Sequence, residues 1–165
     1  LMIDSVITFV LSNFTLSFLV LGLVTAGVSI KLCDEDVSST IVFDRLCSHF
    51  VLFSIGFSFL YNFIMHVFFP EMAAEFIGWK PSPFQLEVGY ASLGFSVVGF
   101  MGFKNKHLRL AAIVGPAFFL WGAASGHIYQ IVVNKNMASG NAGIILYTDI
   151  LLPLIGFFFN HKSKS

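Results

Sequence analysis

Charge is what this sequence has least of. Asp, Glu, Lys and Arg make up 11 % of its residues and sum to a net charge of zero, where soluble domains carry about 25 % charged residues. With 56 % hydrophobic residues and a mean hydropathy of +0.84, that scarcity argues against a water-soluble globule. Neutrality also removes the basic footprint that nucleic-acid binding needs, so no nucleic-acid partner is expected. No Walker loop, nucleophile elbow or GxGxxG occurs, and no catalytic triad can be assembled. There are only two cysteines, Cys33 and Cys47, and no CxxC spacing. Cysteine redox or zinc chemistry is therefore not expected, and small reduced thiols at cytoplasmic helix ends are. No basic stretch precedes the first apolar run, which argues against a signal peptide. Leu1 in first place suggests a start at Met2 or one missing from the sequence.

What the chain does have is apolar length. Twenty-one Phe residues suit a lipid-facing surface, and five apolar stretches cover about 6–30, 46–69, 84–103, 108–133 and 143–159. A helix rising 1.5 Å per residue crosses a ~30 Å hydrocarbon layer in about 20 residues. Each stretch is near that length, the fifth being marginal. The expectation is an all-α integral membrane helical bundle forming a single transmembrane domain over 1–165. Five transmembrane helices compose it, a four-helix core plus an N-terminal span. A four-span alternative lays one stretch in the interface.

The connections differ in character. Residues 31–45 are acidic at their start, and the Asp34–Glu35–Asp36 run reads as a solvated turn. Over about 70–79, Met72, Phe76 and Trp79 recur at helical spacing with Glu71 and Glu75 on another face. That predicts a short interfacial amphipathic helix with Trp79 at headgroup level, ended by Pro81 and Pro83. Residues 134–142 form a polar, Gly-containing loop. Sidedness follows from the cations: Lys80 and Lys135 fall on one side, and Lys31, Arg45, Lys104, Lys106, Arg109, Lys162 and Lys164 on the other. The positive-inside rule then puts the N-terminus outside and the C-terminus in the cytoplasm, with a bacterial inner membrane as the expected location.

Within the apolar stretches a few polar residues stand out. His66, Glu87, His127 and Asp149 each lie one to two turns inside the outer ends of their spans, a layer ~5–9 Å below the surface. Ser54, Ser58, Asn62 and His66 step by four and share a helix face. Gln130 shares the face of His127, and Tyr90 that of Glu87. Ionisable groups at membrane depth are costly unless they face the bundle or a wet cavity. Four readings compete. His66, His127, Glu87 and Asp149 are acceptable metal ligands, though no Glu-x-x-His or His-x-x-x-His pair occurs. The same groups suit a proton or cation relay, or a pocket for a small polar ligand such as a quinone. The bland reading is that Glu87–His127 or Asp149–His66 pairs lock the bundle together. His49 reads as interfacial, Gly115, Gly122 and Gly126 as helix-packing positions, and Pro116 and Pro153 as kinks. Pro153 would free the main-chain carbonyl of residue 149.

The strings SPFQLEVGYASLG (82–94), GHIYQ (126–130), GNAG (140–143) and DILLP (149–153) resemble those of an uncharacterised family of small bacterial multi-pass membrane proteins, over residues 45 to 159. More remotely, Arg45, the 70–79 segment, Glu87, Gly89, Gly94 and Gly99 are similar in layout to DoxX-like proteins. That resemblance implies a four-helix membrane bundle and, for some members, association with quinone-linked oxidoreductase complexes. The N-terminal span, His66 and His127 depart from the DoxX-like pattern. The resulting expectation is a polar intramembrane site near the outer face, made by His66, Glu87, His127, Gln130, Asp149, Asn62 and Tyr90. It would bind a small ligand, ion or quinone, with proton exchange and under cover of the 70–79 segment and the 134–142 loop. The rival expectation is an accessory subunit of a larger membrane complex without chemistry of its own. A membrane enzyme ranks third, and no cofactor is specified.

Overall fold

In lipid a long apolar segment must satisfy its backbone internally, which helices do. The computed structural model describes residues 2–33 and 36–164, and among these the elements are helices joined by turns, with no strand. Asp34 and Glu35, two of the three residues of the expected acidic turn, lie outside the described residues. Five helical stretches are long and apolar enough to cross a membrane: Phe14–Lys31, Ser39–Phe68, Phe84–Lys104, Lys106–Asn134 and Ser139–Lys162. The chain is an all-α bundle.

The first apolar run is two helices rather than one. Helix α1 (Met2–Ser12) ends at Asn13, whose backbone leaves the helical region, and α2 (Phe14–Lys31) begins beyond it. At 11 residues α1 is about 16 Å long and cannot span. The second stretch, by contrast, starts earlier than its hydropathy suggests. Ser38 accepts a hydrogen bond from the amide of Ile41 and caps α3 (Ser39–Phe50). The helix then widens into a π-helical turn, Val51–Phe57, and continues as α4 (Ser58–Phe68). Pro70 opens the short α5 (Pro70–Ile77), and Gly78 closes it in the left-handed conformation that glycine adopts without strain. The rest are α6 (Phe84–Lys104), α7 (Arg109–Asn134, containing Pro116), the single turn α8 (Ser139–Ala142) and α9 (Ile144–Lys162, containing Pro153).

The core lies where the π turn meets α7 and α9: Phe50, Val51, Ile55, Phe59, Ile113, Leu120 and Leu152 are buried together. Rings of Phe59, Phe95 and Phe119 meet there tilted or edge to face. Helix α6 approaches the π turn backbone to backbone. A Cβ on Gly99 would lie 2.6 Å from the amide nitrogen of Gly56 and 2.9 Å from the carbonyl of Val51, so only glycine fits. Gly126 leaves room for the Trp79 ring and Gly115 for Phe95, but a Cβ on Gly122 would meet nothing within 4 Å among the described residues. Helix α2 is peripheral, with 17 % of its span buried against 39 % in the α3–α4, α7 and α9 spans. One buried bond between the hydroxyls of Thr15 and Thr148, 2.7 Å long, ties its start to α9.

Because consecutive spans run in opposite directions, the bundle has two distinct ends. At the α5 end α4 and α7 finish, and α6 and α9 begin. At the α3 end α2 and α6 finish, and α3 and α7 begin.

Candidate functional site

At the α5 end, two ionisable side chains have been taken out of solvent together. Asp149, in the second turn of α9, is 3 % exposed, and His127, in α7, is 6 % exposed. Their nearest atoms, His127 Nε2 and Asp149 Oδ2, are 3.7 Å apart. That is an ion-pair separation, longer than a formed hydrogen bond. Among the described residues no other polar side chain reaches the Asp149 carboxyl. Pro153, four residues on, has no N–H to offer the main-chain carbonyl of Asp149.

The other side of the imidazole is held by Asn141, which is completely buried. Its Oδ1 faces His127 Nδ1 at 2.8 Å and accepts a second bond from Trp79 Nε1 at 2.9 Å. Its Nδ2 donates to the carbonyls of Asn136, at 3.0 Å, and His127, at 3.3 Å. An indole N–H only donates and a carbonyl only accepts, so just one orientation of the amide satisfies all four bonds. The Trp79 ring stands 5.6 Å from that of His127. Asn136 completes the cover by donating to the carbonyls of Ile77 and Gly78. The C-terminal end of α5 is thus fastened to the 135–142 loop directly above His127.

His66 belongs to a second, separate group built to the same plan. Its Nδ1 lies 3.0 Å from Gln85 Oε1, and Gln85 Nε2 donates to the Pro70 carbonyl at 2.8 Å. Asn62 stands one turn earlier and donates to Ser92 Oγ, which in turn donates to the Val88 carbonyl. So the α5 segment touches both histidine groups, one near each of its ends.

The other expected residues lie elsewhere. Glu87 is exposed, and among the described residues its carboxylate has no polar partner. Tyr90 is 61 % exposed with its ring against Phe63. Gln130 accepts a bond from Asn134 on the outside of α7. The locking pairs expected from sequence, Glu87–His127 and Asp149–His66, are not formed; the pair that forms is His127–Asp149. Among the described residues no three His, Cys, Asp or Glu side chains converge as a metal site would require.

The α3 end holds an ion pair of a different kind. Arg109 is 6 % exposed. One terminal nitrogen donates to Asp44 Oδ1 at 2.6 Å and to the Asp44 carbonyl, and Nε donates to the Gly102 carbonyl. His49, expected at the surface, is half-buried with Nδ1 2.9 Å from Thr25 Oγ1, bridging α3 and α2. Cys47 is fully buried and Cys33 partly so, and both are free thiols.

Compared with known proteins, residues 12–164 match a family of unknown function, DUF6790. The chain belongs to that family. No curated protein and no solved structure matches it. In this DUF6790 member the residues that sequence reasoning passed over are Asn141, Gln85 and Asp44, with Trp79 read only as a headgroup anchor. Nothing local marked Asn141; in the fold, Gly140 of GNAG (140–143) is buried so tightly on α5 that a Cβ there would meet Phe76 at 2.6 Å. That glycine seats the loop and brings Asn141 inward.

Proposed function

We propose that the α5 end of this membrane bundle is a binding site for a small ligand or ion that exchanges a proton with the His127–Asp149 pair. The observation that carries the reading is a buried carboxyl whose single polar side-chain neighbour among the described residues is an imidazole held at ion-pair distance. A carboxyl kept for stability alone would be saturated with donors, since an unsatisfied buried group costs about 1–3 kcal/mol. Trp79, Asn136 and the 135–142 loop cover the site. Seven of the nine cations, Lys31, Arg45, Lys104, Lys106, Arg109, Lys162 and Lys164, sit at or near the opposite end of the bundle. By the positive-inside rule this distribution supports a site toward the outer face with the N-terminus outside, and we read the membrane as a bacterial inner membrane.

The test is infrared difference spectroscopy of the protein in lipid vesicles as pH is changed. A carboxyl band absent from Asp149→Asn should appear and vanish reversibly with pH, and should shift promptly in heavy water. A band that neither titrates nor exchanges over hours defeats the reading.

One observation favours a second reading, the accessory subunit. An apolar groove of about 530 Å³ runs along α1 and α2, lined by Phe9, Phe14, Phe18, Leu21 and Tyr61. A partner helix, for instance from a quinone-linked complex of the kind the DoxX-like resemblance implies, would fill it. Purification in mild detergent separates the two. A stable heteromer indifferent to His127→Ala favours the subunit, and an isolated chain with the titrating Asp149 band favours the site.

A further inference from the structure

Resting on that reading, we infer that Asn141 is a positioning residue that restricts the His127–Asp149 site to one chemical class of ligand, a positively charged hydrogen-bond donor, with the proton as its smallest member. The argument is an inventory of donors. Both Asn141 amide hydrogens are spent on the carbonyls of His127 and Asn136, and the Trp79 N–H is spent on Asn141 Oδ1. That oxygen can only accept, so His127 Nδ1 must carry a proton and donate it. The uncharged imidazole then presents a bare lone pair at Nε2.

What faces the gap is therefore Nε2, an acceptor, and the Asp149 carboxyl, which only accepts when ionised, with the Trp79 ring beside the imidazole. With Asp149 ionised and Nε2 bare, an anion, or a ligand with carbonyl groups alone, meets only lone pairs there. A proton entering from water bonds to Nε2 or Oδ2 and draws the two atoms from 3.7 Å toward the ~2.8 Å of a charge-assisted hydrogen bond. Transfer between them breaks one O–H bond and forms one N–H bond, and release returns the proton to water. An ammonium group reaching the pair would donate to the same two atoms.

Charged groups on the surrounding elements do not compete for this role. Glu71, Glu75 and Lys80 on and after α5, Glu87 on α6 and Lys135 after α7 are all exposed, and Lys135 Nζ donates to the Val132 carbonyl. Among the described residues, α8 carries no charged side chain and α9 carries only Asp149 at this end.

The experiment is nitrogen-15 NMR of histidine-labelled protein in nanodiscs, with His127 assigned by His127→Gln. The expected spectrum has a protonated Nδ1 at every pH and an Nε2 that changes from bare to protonated as pH falls. Asn141→Leu should release the constraint and give a population with the proton on Nε2 instead. Asn141→Asp keeps an acceptor at that point and should hold Nδ1 protonated. If the leucine variant does not fold, the wild-type and aspartate spectra still decide. At fixed pH, ammonium is compared with tetramethylammonium and acetate. An Nε2 shift with ammonium alone identifies an ammonium-type ligand, and a shift with pH alone identifies the proton; both are donor cations. A bare Nδ1 in the wild type, or an Nε2 shift with acetate, overturns the inference. The two readings fail separately. A wrong tautomer with an intact Asp149 infrared response sinks this inference alone, and a right tautomer with a silent Asp149 sinks proton exchange alone.

Discussion

The two ends of the bundle each bury a cationic or basic side chain against an aspartate, yet they do opposite things with it. At the α3 end Arg109 and Asp44 are 2.6 Å apart, and at the α5 end His127 and Asp149 are 3.7 Å apart. A guanidinium offers five donors and never gives one up, so Arg109 fixes Asp44 and two main-chain carbonyls in one arrangement. An imidazole has two nitrogens that can trade roles, so its behaviour is set by a third residue, here Asn141. One end is a clamp and the other an adjustable site, and the difference lies in the side-chain chemistry of the base.

The largest expected effect breaks the clamp. Asp44→Ala leaves Arg109 buried without its carboxylate and should lower stability by about 3 kcal/mol. That is the low end for a stripped buried pair, because the Asp44 side chain keeps 36 % of its exposure. Reversible unfolding in mixed micelles measures it, and a loss below about 1 kcal/mol would mean the clamp contributes little. Asn141→Leu comes next, at about 2 kcal/mol, since it strands a buried carbonyl and the Nδ1–H of His127. Trp79 and Asn136 lie closer to solvent and can turn to water. Should this variant match Asp44→Ala, Asn141 would be as much a fastener as Arg109 and the contrast between the ends would fade.

Smaller still is Asp149→Asn. A neutral amide has the same shape and needs no counter-ion, so stability should move by less than about 1 kcal/mol, while the infrared response at the α5 end vanishes. The same exchange at the clamp, Asp44→Asn, should cost more stability, because there the charge itself is what Arg109 binds. Equal costs at both ends would show His127–Asp149 to be a second clamp.

How much of this was legible beforehand depended on what each residue costs in lipid. His127 and Asp149 stood out because an ionisable group inside an apolar run demands a reason, and the five-span bundle followed from run length. Asn141 could not stand out: an asparagine in a polar, glycine-bearing loop is ordinary until the loop is seen folded inward on Gly140 and α5. Asp44 was hidden by its neighbour Arg45, since both read as surface charge, and nothing local said that Arg109 would reach across to it. The break at Asn13 and the π-helical turn at Val51–Phe57 were also hidden: Ser12 and Asn13 interrupt the apolar run too briefly to end it, and the run continues apolar through the π turn. Helical rise alone put His66 and Glu87 at the depth of His127, but depth says nothing about azimuth. Packing decided azimuth, and it set His66 against Gln85 and left Glu87 facing outward.

Glu87 supplies the smallest effect and the sharpest limit on the site. It lies in the first turn of α6, where the exposed amide groups of the helix start favour a negative charge by about 0.3–1 kcal/mol. That accounts for a carboxylate at this position without any part in ligand binding. Glu87→Gln should therefore cost about 0.3 kcal/mol, the low end of that range because the side chain is exposed and screened, and should leave the Asp149 band and the His127 nitrogen shifts where they were. Tyr90→Phe, on the same exposed face, should be equally silent. If Glu87→Gln instead slows proton exchange at Asp149 while stability holds, the carboxylate is an entry point on the proton's path. The adjustable end would then extend from α9 across α5 to α6, and the His66 group between them would join it.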